Sequence, residues 1–221
     1  MALNLRDADA IIAACEDNDV KIAVISQIRF SKAINVLKSA VENGDLGKIV
    51  TGDVFMKFFR SPEYYASANW RGTYKMDGGG ALMNQGIHGI DGLTYVMGDI
   101  KSVFAFSKTL VHDIEVEDTC SAVLEYKNGA IGIIQGTTSV YPGYPRIIEI
   151  SGTRGTIALQ EDTIVKWDTE NKEMPDGITI GTTKASGASD PKAISMDGHI
   201  MKSTPQKWHS RLPVLWRLKK V

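Results

Sequence analysis

The chain has 221 residues, 43% of them hydrophobic and 23% charged, and its 25 basic and 26 acidic side chains give a formal net charge of -1. That is room for one large domain, or for a compact domain with a piece of a second, in an ordinary globular composition. Near-neutrality excludes both the electrostatic footprint of a general nucleic-acid binder and a solvating acidic tail. No apolar run approaches ~18 residues, so no membrane-spanning helix is expected. The amino terminus, MALNLRDADAII, has early acids and no long apolar stretch, unlike a signal peptide. Cys15 and Cys120 lack Cys-x-x-Cys spacing, which predicts reduced, buried thiols and a cytoplasmic protein rather than a disulfide framework or a zinc site.

Residues 5–16 carry Leu5, Ala8, Ile12 and Cys15 at helical spacing and predict an amphipathic helix. The β-branched run KIAVIS (21–26) predicts a short buried strand, and residues 31–47 a second helix, capped by Ser31 and ended near Gly44. From residue 48 the period changes to two. The run IVTGDVFMKFF places Val50, Val54, Met56 and Phe58 on one face, and TCSAVLEYKNGAIGIIQG reads as two strands joined at Asn128-Gly129, a strong hairpin signal. Further strands are expected at 101–109, 146–151, 155–160 and 163–167, with one long helix at about 80–97 inserted among them. About six strands with short turns define the class as α+β: an open, largely antiparallel sheet with packed helices, preceded by a helix-strand-helix unit. Residues 168–196 read as a loop or linker, and the last stretch, HIMKSTPQKWHSRLPVLWRLKKV, turns abruptly basic and Trp-rich.

The stretch DGGGALMNQGIHGID (77–91) does not fit helix propensity, because glycines cost roughly 1 kcal/mol each inside a helix. At about 100° per residue, Asn84, His88, Asp91 and Tyr95 fall on one face, collecting an amide, an imidazole, a carboxylate and a phenol. Gly86 and Gly89 lie nearly opposite and allow close approach of another backbone. Gly78 to Gly80 precede a helix amino terminus, where unpaired N–H groups favour oxygen-rich ligands, although neither a G-x-G-x-x-G nor a P-loop is present. Trp70 and Arg71, just upstream in NWRGTY, are placed to wall the same pocket. Arg29 closes the KIAVIS strand, where ligands of α/β sheets gather; it reads equally as an ion-pairing surface residue. VYPGYPR sets Tyr141, Tyr144 and Arg146 in a proline-glycine turn, either a turn staple or a substrate-contacting loop. HDIEVED (112–118) alternates acids as the solvent face of an edge strand would, and no metal site is expected there.

The segment NWRGTYKMDGGGALMNQGIHGIDGLTYVMGD resembles the active-site segment of the Gfo/Idh/MocA family, the relatives of glucose-fructose oxidoreductase and inositol dehydrogenase. The resemblance extends through SQIRFSKAINVLKSAVENGDLGKIVTGDV, HDIEVEDTCSAVLEYKNGAIGIIQGTTSVYPGYPRIIEISGTRGTI and DPKAISMDGH, roughly residues 1–200. It implies a Rossmann domain binding NAD or NADP, a second domain on an open, largely antiparallel sheet, and hydride transfer from a sugar, cyclitol or related alcohol. It makes His88 and Asn84 the catalytic pair, with Tyr141 and Arg146 also on the substrate and Arg29, Trp70 and Arg71 on the cofactor side. The residue four before the histidine is often aspartate in that family; Asn84 can orient a hydroxyl but cannot take up a proton. His88 is then the member suited to proton transfer near neutral pH.

The family's dinucleotide fingerprint and its Glu-Lys-Pro motif, which supplies a catalytic lysine, would precede MALNLRDADAI, and neither is in the chain. The expected organisation is therefore 1–47 as a remnant of a dinucleotide-binding domain, 48–200 as a substrate and oligomerisation domain, and 201–221 as a divergent basic tail. About 120 further residues would complete a dinucleotide domain. The expected state is a chain that binds no cofactor and is inactive alone. Its expected partners are a small sugar-like substrate and further copies of itself through the sheet, with neither nucleic acid nor membrane. The alternative is a non-catalytic, truncated or split remnant acting as a folded oligomerising domain. The tail reads as an out-of-frame product, with a basic interaction tail as its alternative.

Overall fold

A computed structural model describes residues 2–170, 173–176, 178, 180 and 181. The loop expected at 168–196 falls mostly outside the described residues, and DPKAISMDGH and the basic tail at 201–221 lie wholly outside them. The period-two runs form seven strands: β1 (Ile49–Lys57), β2 (Ile100–Lys108), β3 (Thr119–Tyr126), β4 (Ile131–Thr137), β5 (Ile147–Gly152), β6 (Gly155–Gln160) and β7 (Thr163–Thr169). They make one sheet in the order β2-β3-β4-β1-β5-β6-β7. Every neighbouring pair is antiparallel except β1 and β4, which run parallel. This is the open, largely antiparallel α+β sheet expected. The Asn128-Gly129 signal is the β3–β4 turn: Gly129 takes a φ of +86°, and the Asn128 side chain accepts from the Ala130 N–H at 2.9 Å.

Alternation decides which face is covered. Cys120, Ala122, Leu124 and Tyr126 on β3 and Val54 and Met56 on β1 are buried, as are Ile148 and Ile150 on β5. Against them pack helices α2 (Lys32–Glu42) and α4 (Ile87–Met97), with the short helix α3 (Pro62–Ala66) between them in the chain, through Ile34, Leu37, Ile90, Leu93, Val96 and Met97. Tyr126 reaches across under this layer and donates from its hydroxyl to the Gly52 carbonyl at 2.8 Å. Helix α2 begins as expected, with the Ser31 side chain accepting from the Ile34 N–H, and ends at the Asn43–Gly44 turn. Helix α1 (Leu5–Asp17) forms as the spacing predicted, yet of its residues only Ala8 is buried.

Several expectations are corrected. The KIAVIS run is not a strand: residues 20–26 form no ladder, and Val20, Ile22, Val24 and Ile25 are exposed. A β-branched run becomes a strand only where a neighbour offers N–H and C=O partners, and none of the described strands lies beside it. Val50 does not share the buried face of Val54 and Met56, because the β1–β5 register shifts between Ile49 and Thr51 and leaves Val50 exposed. The expected helix at 80–97 opens with a π-helical turn, Ala81–Gly86, and becomes α-helical only at Ile87. Docking of Gly80–Leu82 on a distant loop sets where that turn begins, and hydrophobic periodicity carries no trace of it. HDIEVED is a loop between β2 and β3 rather than an edge strand, since its acids are used on backbone N–H groups. Cys120 is buried, but Cys15 is only half-buried on the sparsely packed α1; both are free thiols.

Candidate functional site

The glycine-flanked segment lies between β1 and β2 and is held from outside by the loop 109–118. The Gly80 N–H donates to Glu117 Oε2 at 2.9 Å, the Leu82 N–H to Oε1 at 3.1 Å, and the Ala81 N–H to the Glu117 carbonyl at 2.8 Å. A Cβ on Gly80 would sit 1.7 Å from that carbonyl oxygen, so this approach requires glycine. The oxygen-rich ligand expected at the start of the helix is thus a side chain of the protein itself. Upstream, Tyr74 N–H donates to Glu115 Oε2 at 3.1 Å, and Asp77 Oδ2 accepts from the Gly72 N–H at 2.9 Å.

The polar stripe of the helix divides into two halves. Asp91 is bound by Arg29 through Nε at 2.9 Å and Nη2 at 2.6 Å, a fork-to-fork pair. Those hydrogen bonds hold the Arg29 guanidinium above its ordinary value, against the opposing effect of burial. The Tyr95 hydroxyl donates to Asn35 Oδ1 at 3.1 Å, and its ring lies under Arg29 and Lys38. These two residues fasten α4 to the 3₁₀ turn Gln27–Phe30 and to α2. At the other end, Asn84 donates from Nδ2 to Asp77 Oδ1 and accepts at Oδ1 from Gln85 Nε2 at 3.1 Å. Between the two halves, half-buried His88 has no hydrogen-bond or ionic partner among the described residues.

Trp70, Arg71 and Tyr141 connect to Asn84 through intermediaries, whereas Arg146 does not. Arg71 stacks on the rings of Tyr64 (4.1 Å) and of exposed Trp70 (4.6 Å), and its buried Nε has no partner. The Tyr64 hydroxyl accepts from Gln85 Nε2 at 2.9 Å, which joins Trp70 and Arg71 to Asn84. Tyr141 is exposed and packs edge-on against Phe59, next to Arg60, whose Nη2 donates to Gln85 Oε1 at 2.6 Å. Arg146 pairs with Glu161 at 2.9 Å and lies against α4, its Cδ 2.9 Å from where a Cβ on Gly89 would stand; its Nε is buried without a partner. Arg29, by contrast, is spent on Asp91.

Residues given no site role by the sequence complete the frame: Arg60, Tyr64, Asp77 and Gln85, with His112, Glu117 and Asp118 from the HDIEVED run that was read as a solvent face. His112 Nε2 donates to the Arg60 carbonyl at 2.9 Å, while its Nδ1 lies 3.1 Å from the Ser139 hydroxyl and 3.3 Å from Asp118. Asp118 is fully buried. Burial pushes its carboxyl upward, but the N–H groups of His112, Leu110 and Val111, with the Thr119 hydroxyl, outweigh it and hold the group well below the ordinary carboxylate range. Only the alternation of acids in HDIEVED marked any of this, and spacing alone pointed it toward solvent.

The first turn of each longer helix is engaged by the chain itself, by Asn4 in α1, Ser31 in α2 and Glu117 at Gly80. The unpartnered Arg71 Nε, flanked by Trp70, does fit an oxygen-bearing group arriving at this edge. No cluster of three or more His, Cys, Asp or Glu among the described residues is arranged to hold a metal ion. No helix among them is long and apolar enough to cross a membrane.

An open antiparallel sheet carrying a glycine-docked helix with a lone histidine defines a protein class, and comparison with known proteins agrees. Residues 34–158 match the GFO/IDH/MocA C-terminal domain, and the chain belongs to that family. It is 32% identical to the myo-inositol 2-dehydrogenase of Thermotoga maritima over 76% of this chain and 50% of that protein. It is 29% identical to a D-apiose dehydrogenase of Rhizobium rhizogenes over 72% of this chain and 46% of the relative. The WlbA dehydrogenase of Bordetella pertussis, solved in complex with NADH and UDP-GlcNAcA, superposes with a TM-score of 0.75 at 35% identity, over 81% of this chain and 53% of that one. The chain therefore spans about half the length of the curated relatives it matches.

Proposed function

We propose that this chain provides the substrate side of an NAD(P)-dependent oxidoreductase acting on a sugar, cyclitol or related alcohol. The observation that carries the reading is His88, an imidazole with no partner among the described residues, held between a fastened amide network and a fastened ion pair on the site helix. Oxidation of a secondary alcohol removes the hydroxyl proton as hydride leaves carbon. His88 takes the proton; Asn84 holds the hydroxyl in line; Tyr141 and Arg146 border the substrate. The cofactor, when bound, supplies the hydride acceptor, and Trp70 and Arg71 hold its near edge, with Arg29 setting the helix behind it through Asp91. Residues 1–47 serve the cofactor side and 48 onward the substrate side and self-association. Two free thiols fit a cytoplasmic protein.

The test joins the amino-terminal half of the Thermotoga maritima relative to this chain and follows NAD⁺ reduction with a panel of polyols. His88→Ala lowers kcat by about two orders of magnitude or more at pH 7, while Asn84→Ala acts mainly on KM. A near-normal kcat in His88→Ala would reduce the histidine to a binding or structural residue and overturn the reading.

A further inference from the structure

Four polar side chains beside His88 form a line whose hydrogen-bond polarity is dictated at both ends. Arg60 can only donate, and its Nη2 gives a hydrogen bond to Gln85 Oε1 at 2.6 Å. With its oxygen so used, Gln85 turns its Nε2 outward and donates to Asn84 Oδ1 at 3.1 Å and to the Tyr64 hydroxyl at 2.9 Å. With its oxygen accepting, Asn84 turns its Nδ2 to Asp77 Oδ1, a carboxylate oxygen that accepts. Neither amide can flip without facing oxygen toward a carboxylate or N–H groups toward a guanidinium.

We propose that Arg60 and Asp77 are positioning residues that pin the two ends of this amide relay and so decide which edge of Asn84 faces the substrate. Asn84 keeps one N–H and one lone pair beyond those the relay uses, and these form the edge left to a ligand. That edge matches a neutral pair of neighbouring hydroxyls, one accepting and one donating. The guanidinium at one end and the carboxylate at the other polarise each bond in the same direction, which strengthens Asn84 Oδ1 as acceptor. The ends are themselves anchored: the Arg60 carbonyl by His112 Nε2 at 2.9 Å, and Asp77 by the Gly72 N–H at 2.9 Å. The inference rests on the proposed substrate reading for its function, but the relay itself does not.

The experiment uses the full chain and two readouts. The first is the side-chain amide NMR signals of Asn84 and Gln85 in the wild type, Asp77→Asn and Arg60→Gln. A relay transmits: Asp77→Asn, which of the two amides meets only Asn84, also shifts the Gln85 amide, and Arg60→Gln, which of the two amides meets only Gln85, also shifts that of Asn84. The second is binding of myo-inositol, followed by NMR titration. Asp77→Asn and Asn84→Asp each weaken it about tenfold, as expected for loss of a hydrogen bond to a charged group. The exchanged pair Asp77→Asn/Asn84→Asp does not restore it, because a carboxylate at position 84 has no N–H to offer a hydroxyl and the bond to position 77 runs in reverse. Transmission between the amides without myo-inositol binding in the wild type supports the relay and removes the polyol reading. Amide changes confined to the substituted residue's own partner overturn the relay, whether or not the chain binds myo-inositol, and an exchanged pair that binds myo-inositol as the wild type does overturns the role given to the Asn84 N–H.

Discussion

Glu117 illustrates how much one side chain decides at this site. Its carboxylate and carbonyl oxygens receive the N–H groups of Gly80, Ala81 and Leu82, and the Gly80 carbonyl in turn accepts from the Asn84 N–H at 3.0 Å. A residue 33 positions downstream of Asn84 thereby sets where the helix bearing Asn84 and His88 begins. Glu117→Ala leaves two of these donors without a partner, at a cost of about 1–3 kcal/mol, and Glu117→Gln costs less because its amide oxygen still accepts one of them. Urea unfolding of the two variants measures the difference; equal stabilities would mean that water replaces the carboxylate. Glycine at position 80 was legible as unusual, but its reason was not, since the atom it makes room for belongs to a loop that no local pattern connects to it.

The loop 109–118 is the element that joins β2 to the site. Asp118 organises it internally by accepting from the N–H groups of Leu110, Val111 and His112 at 3.0, 2.8 and 3.0 Å. Because these bonds depress its carboxyl in the folded state, ionised Asp118 stabilises the fold above the unfolded carboxylate value of about 3.9. That stabilisation is lost as the pH falls below this value toward the lower folded one. Asp118→Asn is therefore expected to unfold at lower urea than the wild type at pH 7, with the gap narrowing between pH 4 and pH 2. A gap independent of pH would show that the carboxylate charge is not what holds the loop. Alternation of acids is ambiguous in principle: the same period serves a solvated strand face and a loop whose carboxylates turn inward onto backbone donors.

At the scale of the whole molecule, the described residues leave the sheet with one covered and one open face. On the open side Phe104, Val123 and Ile133 lie in register across β2, β3 and β4, and are 66%, 56% and 40% exposed, with Phe106 and Ile131 beside them. A contiguous apolar surface of this kind is costly in water and favours self-association. In line with the proposed oligomer, Val123→Glu at the centre of this surface is expected to shift the chain toward monomer in sedimentation, while its circular dichroism is unchanged. An unaltered sedimentation profile would place any assembly elsewhere.

The sequence by itself determined the strands of the sheet, the Asn128-Gly129 hairpin, the Ser31 cap and the family, because each rests on contacts or torsions within a few residues or on a long run of matched positions. It also singled out His88 and Asn84, through the clash between glycine content and helical spacing. Tertiary structure decided the rest. KIAVIS has strand composition, but a strand exists only as half of a pair. Asp91 and Tyr95 share a helix face with His88 and are nonetheless fastening residues, because Arg29 and Asn35 arrive from other elements to engage them. The orientation of Asn84 depends on Arg60 and Asp77, which lie 24 positions before it and seven positions before it. Hydrogen-bond direction along such a relay depends on which donor-only and acceptor-only groups the fold brings to its ends, and one-dimensional spacing does not encode that.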